Sequence, residues 1–260
     1  MSLPAGLVCA GVGVLDVADQ HEADDTLDAI APFDDARSAQ QVEWVVQYCV
    51  GKRVFDAGCG HGRLAAPLAA AGVDVVAMDV DATALQVCAA AASTATCVVG
   101  DFRTCGEEHG VFDVVLCLGN TFALLHDVDE ACATMQRWAD MLSPGGVMLI
   151  DDMPQDLWPE LTEGNWCAGV SPTGQQLVWA ADDAVFALRT GQSVDPEGAP
   201  PGVGDRCLRL WTMGALRLLA VAVGLEGPVE YAEGCVLEFS DLAPQKRPGR
   251  IHNIASDRHS

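Results

Sequence analysis

The chain has 260 residues, half of them apolar, with 14 Lys and Arg against 37 Asp and Glu and a formal net charge of −23. So large an apolar share supplies a full core and excludes wholesale disorder. So acidic a surface repels phosphate backbones and anionic lipid, which excludes nucleic acid and membranes as partners.

In chain order, residues 18–36 are acidic and aperiodic, and residues 1–37 read as an exposed lead-in or lid. "SAQQVEWVVQYCV" (38–50) predicts a helix with Ser38 as N-cap and Val42, Val45, Val46 and Cys49 on one face. Strands and helices then alternate. "RVFDAG" (53–58) is a first strand, 62–71 an Ala/Leu helix, 73–80 a strand and 82–92 a helix. "TCVVGD" (96–101) and "FDVVLCLG" (112–119) are the third and fourth strands. Residues 127–142 form an amphipathic helix started by Asp127 and Glu130 and ended by "SPGG" (143–146). "GVMLID" (146–151) is a fifth strand. The strands are continuous apolar runs, the mark of a parallel sheet covered on both faces. Residues 38–152 therefore read as an α/β core.

After Asp152 the texture changes. "QLVWAADDAVFALRTG" (176–191) predicts two antiparallel strands around "ADD", a long Pro/Gly-rich loop follows, and "CLRLW" (207–211) is a third strand. Residues 153–211 thus form an antiparallel insertion. A helix over 212–225 and strands at 229–232 and 235–240 complete the core within 212–243, and 244–260 is a polar tail.

Eleven cysteines, an odd number with no C-x-x-C pair, argue against a disulfide framework and a zinc ribbon. The first residues lack a basic segment, and Asp16 closes their apolar run early, unlike a signal peptide. Together these point to a reducing cytoplasm.

The stretch "RVFDAGCGHGRL" (53–64) carries the chemistry. Glycine-rich turns after a first strand bring backbone N–H groups close to a ligand. A dinucleotide fingerprint reads G-x-G-x-x-G; here the spacing is G-x-G-x-G, with Arg63 in the last fingerprint slot and Asp56 ahead. A pyrophosphate wants donors only, and Asp56 would repel it. An amino acid joined to a sulfonium nucleoside carries an ammonium that a carboxylate suits. Asp79 ends the second strand where an acid bonds ribose hydroxyls. Asp101 and Phe102 end the third, one for an adenine amino group and one to stack on its ring.

On these segments the sequence resembles the class I S-adenosylmethionine-dependent methyltransferases. "VFDAGCGHGR", "AMDVD", "VVGDF", "FDVVLCLGNTF" and "LSPGGVMLID" look like their successive motifs. The resemblance implies a Rossmann-like α/β fold, a mostly parallel seven-stranded sheet with helices on both faces. It implies S-adenosylmethionine as cofactor, lined by Asp56, Gly58, Cys59, Gly60, Asp79, Val80, Asp101, Phe102 and Leu118. "CLGNTF" (117–122) looks like the small-molecule branch that includes glycine and sarcosine N-methyltransferases, although Leu124 stands where that branch often has a histidine.

Methyl transfer from a sulfonium is an in-line displacement, so the protein mainly aligns the partners and excludes water. Asn120, ending the fourth strand, is the candidate to hold the acceptor or the cofactor's amino group. His126 is the candidate general base, against the plainer reading of a loop histidine at a helix start. His61 shapes the glycine loop. Asp151 and Asp152 could bind an amine or a metal, but no third ligand is evident, so no metal is expected. Trp158, Trp166 and Trp179 either wall a pocket or pack the insertion. Arg37 could meet a carboxylate; Arg189 and Arg206 flank the long loop and could meet an anionic substrate. The base-methylating [DNS]-P-P-[YFW] motif is absent after the fourth strand, leaving a small-molecule N or O nucleophile as the expected acceptor. The alternatives are a dinucleotide-dependent oxidoreductase and a non-catalytic cofactor-binding scaffold.

Overall fold

A computed structural model of the protein describes residues 35–151, 170, 174–180, 184–205 and 207–241. Asp152, Trp158, Trp166, Arg206, the tail and all but the end of the lead-in lie outside the described residues.

The core alternates as the apolar runs predict. Helix α1 (Asp35–Cys49) precedes β1 (Arg53–Ala57), α2 (Ala65–Ala70), β2 (Asp74–Asp79), α3 (Ala82–Ala91), β3 (Thr96–Val99) and β4 (Phe112–Cys117). Then come α4 (Val128–Asp140) and β5 (Leu142–Ile150). The insertion contributes β6 (Gln176–Trp179), β7 (Val185–Arg189) and β8 (Cys207–Arg209), and α5 (Met213–Ala222), β9 (Leu225–Tyr231) and β10 (Val236–Asp241) follow.

Seven strands form one sheet in the order β3-β2-β1-β4-β5-β10-β9. β1 pairs in parallel with β2 and β4, and β10 runs antiparallel to β5 and β9. This is the class I methyltransferase fold. Alternate residues of each strand feed different cores. Phe55, Val115 and Met148 face α4 and α5, where Trp138 and Met135 are fully buried. Val54, Val114 and Leu149 face α1, α2 and α3. Both faces are apolar because both are covered.

Three boundaries differ from the pattern. Helix α1 begins ahead of Ser38, which sits inside it. Arg37 and Gln41, one turn apart, both reach Cys235, at 3.5 Å to its Sγ and 2.7 Å to its carbonyl oxygen, so the helix is anchored through its first turns. Helix α2 starts at Ala65, because residues 60–64 stay a turn closed by the Gly62 amide on the Cys59 carbonyl at 2.9 Å. "SPGG" is the irregular entry of β5 rather than a free turn. The β4–β5 register shifts there, and the Ser143 hydroxyl donates to Asp113 at 2.8 Å.

β6, β7 and β8 make a separate antiparallel sheet. It buries Leu177, Phe186, Leu188, Leu208 and Leu210 against Ala123 in the short helical turn Thr121–Leu124. Trp179 packs in this core, its ring centroid 5.0 Å from that of Phe186. The Trp211 indole N–H donates to the Phe122 carbonyl at 3.3 Å, and Arg209 Nε to the His126 carbonyl at 2.7 Å. The insertion is thereby fixed to the loop after β4.

Arg189 braces the long loop from inside. It is buried, it forks onto Asp205 at 2.8 and 2.6 Å, and it donates to the carbonyls of Ala199 and Pro200 at 2.9 and 3.1 Å. Arg189→Met removes the ionic partner of Asp205, which keeps only the Gly202 amide at 2.8 Å, and leaves two carbonyls unmet. It is expected to cost about 3 kcal/mol, read by urea unfolding, with faster amide exchange in β6 and β7 first.

Candidate functional site

The carboxyl ends of β1, β2, β4 and β5 meet at one edge of the sheet, and the glycine loop lies across it. Asp56, the penultimate residue of β1, is 2% exposed, and among the described residues its Oδ2 has no hydrogen-bond partner. The amides of Gly58 and Cys59 donate to the Met78 carbonyl at 2.9 and 3.0 Å, which pins the loop to β2. Gly58 has φ +76°, and a β-carbon there would lie 2.5 Å from Thr121 Cγ2. Only glycine permits this approach between the loop and the segment after β4. Cys59 is buried under the loop, and burial raises its thiol pKa well above the ordinary value.

Asp79 ends β2 half-buried. Its Oδ2 accepts from the Gly60 amide at 2.8 Å and its Oδ1 from the Asp81 amide at 2.9 Å. The glycine loop thus aims this carboxylate while leaving it further acceptor capacity. Val80 follows, half-buried, and Asp81 caps α3 through the Thr83 amide at 2.7 Å.

The β3 end is arranged differently. Arg103 holds Asp101 by Nε at 2.9 and 3.0 Å, by Nη2 at 2.7 Å and by its own amide at 2.9 Å. Burial works to raise the Asp101 pKa, but the Arg103 bonds and charge outweigh it and hold the carboxyl below its usual range. Phe102 is tied to α4. Its carbonyl accepts from the Trp138 indole at 3.2 Å, and the two ring centroids are 5.9 Å apart.

Leu118 is buried at the β4 exit. Next come Gly119 and Asn120, the latter left-handed at φ 61°. Asp151 at the β5 end holds this conformation. Its carboxylate accepts from the Gly119 amide and, at 3.0 Å, from the Asn120 amide. Asp151 is buried, and burial raises its pKa; the Asn120 and Gly119 amides, Arg63 and Gln41 pull the other way without cancelling it. Asn120 is 4% exposed, and among the described residues its Oδ1 has no partner. His126 lies six residues on, half-buried, and His61 is exposed on the glycine loop.

Two residues of this edge were not singled out as ligand-facing from the sequence. Arg63 places Nη2 2.7 Å from Gln41 Oε1, and its charge acts on both Asp56 and Asp151. Gln41 is fully buried on α1. The available signal was Arg63 standing in the dinucleotide slot. Among the described residues, no cluster of three or more His, Cys, Asp or Glu side chains could hold a metal ion.

The edge therefore offers a buried carboxylate oxygen wanting a cationic donor, an aimed carboxylate wanting hydroxyls, and an amide oxygen wanting an N–H or O–H. It offers carboxylates where a pyrophosphate would need donors.

Residues 54–146 match the family model of a methyltransferase domain. The chain is 35% identical over 101 residues to a ubiquinone biosynthesis O-methyltransferase of Pectobacterium carotovorum, covering 37% of this chain and 41% of that protein. It is 35% identical over 114 residues to a cypemycin N-terminal methyltransferase of a Streptomyces, covering 42% and 46%. The matched stretch spans less than half the length of these curated relatives. The fold resembles the sugar N-methyltransferase KedS8 from Streptoalloteichus, with a TM-score of 0.54, 20% identity, and coverage of 93% of this chain and 98% of that one.

In the ligand-free protein, burial first, then the repulsion of Asp79, raises the Asp56 pKa to about 7, against the pull of Arg63. The folded state therefore holds this proton more tightly than the unfolded chain. Stability is lost as pH rises from about 4 to 7, and by pH 8 the whole penalty is present. Asp56→Asn is expected to raise ligand-free stability at pH 8 by on the order of 3 kcal/mol, with the gain vanishing toward pH 4 in urea titrations.

Proposed function

We propose that the protein binds S-adenosylmethionine and transfers its methyl group to an N or O nucleophile of a small molecule by in-line displacement. The observation that carries this reading is the orphaned Asp56 oxygen buried beneath the glycine loop, with Asp79 held ready at the end of β2.

In this reading the residues fit the cofactor part by part. Asp56 receives the ammonium of the amino-acid tail, which supplies the missing partner and lets the carboxyl ionise. Asp79 accepts the ribose hydroxyls while the Gly60 and Asp81 amides keep it aimed. Gly58, Cys59, Gly60, Val80 and Leu118 line the tail and nucleoside. Asp101 and Phe102 flank the adenine, with Arg103 and Trp138 holding them in place. The bound sulfonium supplies the methyl group and departs as a neutral thioether, so no acid is needed for the leaving group.

In this reading Asn120 takes an N–H or O–H of the acceptor on its Oδ1, unmet among the described residues, which turns the nucleophile's lone pair toward the sulfur side of the cleft. Asp151 fixes the backbone that makes this possible. His126, half-buried six residues after Asn120, is the candidate to receive the acceptor's proton on its imidazole. The insertion is docked on Thr121–Leu124 and His126, which supports a role for it as the cover that excludes water from this side. "CLGNTF" supports a small-molecule amine acceptor of the glycine and sarcosine type. The relatives are named for O- and N-terminal methylation, so a hydroxyl acceptor is the second reading. The nine described cysteines are free thiols, which fits a cytoplasmic setting, and no helix among the described residues is long and apolar enough to cross a membrane.

Calorimetry with S-adenosylhomocysteine and NAD tests the cofactor. Binding of the first and not the second is expected; the reverse would favour an oxidoreductase. Asp79→Ala is expected to weaken S-adenosylhomocysteine by about 1–3 kcal/mol. Incubation with methyl-labelled donor and a metabolite extract then separates an enzyme from a scaffold: donor binding without any label transfer would sink the catalytic claim.

A further inference from the structure

Three thiols stand in a row between the outermost strand of the large sheet and the glycine loop. β3 is the edge of the seven-stranded sheet, and its Cys97 is half-buried. The Cys97 Sγ lies 3.9 Å from that of Cys88, which is fully buried on α3. Cys59, on the glycine loop, neighbours Cys88 as well, and those two thiols interact. We propose that Cys97 and Cys88 form a peroxide-responsive pair whose reversible disulfide loosens the glycine loop. The consequence for donor affinity rests on the cofactor reading above.

Access sets the order of events. Cys97 is the most exposed of the three, and burial holds Cys88 and Cys59 protonated by raising both thiols. A peroxide therefore meets Cys97 first. The Cys97 sulfur attacks one peroxide oxygen and the O–O bond breaks. Cys97 becomes a sulfenic acid, and the departing hydroxide takes the thiol proton and leaves as water. The Cys88 sulfur then attacks the Cys97 sulfur. The S–O bond breaks, and the hydroxyl leaves with the Cys88 proton as a second water. Two thiols and one hydrogen peroxide thus give one disulfide and two waters, and a dithiol reverses the bond by exchange. Cys105, by contrast, donates to the Phe102 carbonyl at 3.0 Å, and Cys49, Cys117 and Cys235 are buried.

Cys88 is where such a bond is felt. A β-carbon built on Gly62 would lie 2.9 Å from the Cys88 Sγ and 3.2 Å from its Cα, so the loop backbone rests directly on this residue. Gly62 also closes the turn through its amide on the Cys59 carbonyl at 2.9 Å. Bond formation draws the Cys88 sulfur to about 2 Å from that of Cys97 and away from the loop it supports. Helix α3 carries a second link. Its cap, Asp81, donates its amide to Asp79 Oδ1 at 2.9 Å, so a shift of α3 also reaches the carboxylate that the glycine loop aims.

Hydrogen peroxide at equimolar amount, alkylation of the remaining thiols and non-reducing peptide mass spectrometry read the bond. A peptide pair joined at Cys88 and Cys97 is expected, and dithiothreitol is expected to remove it. On oxidation, amide exchange over residues 58–63 is expected to quicken. S-adenosylhomocysteine affinity is expected to fall by about 5- to 50-fold, within the usual span of coupling between two sites. Both return with reductant. Cys97→Ser is expected to bind S-adenosylhomocysteine as the unaltered protein does and to ignore peroxide in all three readouts. The proposal is overturned by a Cys97 that proceeds to sulfinic acid with Cys88 still free, or by a bond that joins other cysteines. A Cys88–Cys97 bond that leaves loop exchange or affinity unchanged overturns it too. If the reduced protein binds no S-adenosylhomocysteine, the donor reading fails by itself, and the thiol pair is still decided by the linked peptide and the exchange rates.

Discussion

A carboxylate sealed in an apolar interior with one oxygen unmet costs several kcal/mol, and Asp56 is such a group. Folding alone gives no reason to place it there. Asparagine would fill the same volume without a charge. The rest of the edge is organised around it. β1 delivers it to the tip of the sheet, Gly58 and Cys59 close over it by bonding back to β2, and the charge of Arg63 stands near enough to moderate it. Asp151 is the informative contrast. It is equally buried and also at a strand end, yet it receives two backbone amides. One carboxylate is satisfied by the protein and holds a loop. The other is left for something that comes from outside.

Sheet order explains why these groups meet. β1 lies between β2 and β4, so chain direction across the sheet reverses beside it, and the loops leaving β1 and β4 depart to opposite sides. A crevice opens at such a reversal. Here it is narrow: the Thr121 methyl sits where a side chain on residue 58 would be. The same short turn that carries Thr121 also buries Ala123 under the insertion and offers the Phe122 and His126 carbonyls to Trp211 and Arg209. The glycine loop, the segment after β4 and the insertion sheet are thus in direct mechanical contact. A displacement of the insertion is felt at Asn120 through a few well-packed residues.

Much of this was legible because it is periodic or local. Continuous apolar strands, the Asp127 cap and the two strands flanking "ADD" follow from short-range pattern, and the fold has them with shifts of a few residues. Asp56, Asp79 and Asn120 were legible as strand-end residues because glycine spacing and the ends of apolar runs mark the sheet's carboxyl edge, where the structure has them. What was not legible is long-range side-chain commitment. Nothing near Arg189 says that it will clasp Asp205 and two carbonyls rather than face a substrate. Nothing near Trp179 decides between pocket wall and insertion core until Phe186 is seen beside it. The partnership of Gln41 with both Cys235 and Arg63 spans almost two hundred residues of chain. Ser38 looked like a cap because serine before an apolar face usually is one. It sits within the helix because Arg37 and Gln41 share one distant anchor.

The overall charge sharpens the site chemistry. With −23 on the chain, long-range fields oppose any anion approaching in dilute salt and favour a cation. Inside the cleft the balance is local: among the described residues, Asp56, Asp79 and Asp151 stand against the Arg63 guanidinium. A ligand of purely negative charge would meet repulsion at every strand end, and a purely cationic one would leave Arg63 facing it. A molecule carrying both signs on adjacent atoms, with hydroxyls a few ångströms further on, satisfies each group in turn. The unmet amide oxygen of Asn120, held in a left-handed turn that costs about 1 kcal/mol for a residue other than glycine, lies beyond that pattern. It is supported by Asp151 rather than by any ligand of the glycine loop, so the groups that would hold a donor and the group that would orient an acceptor rest on different strands. Those strands, β1 and β5, are joined only through β4, which makes the β4 exit the element whose geometry both halves of a transfer reaction must share.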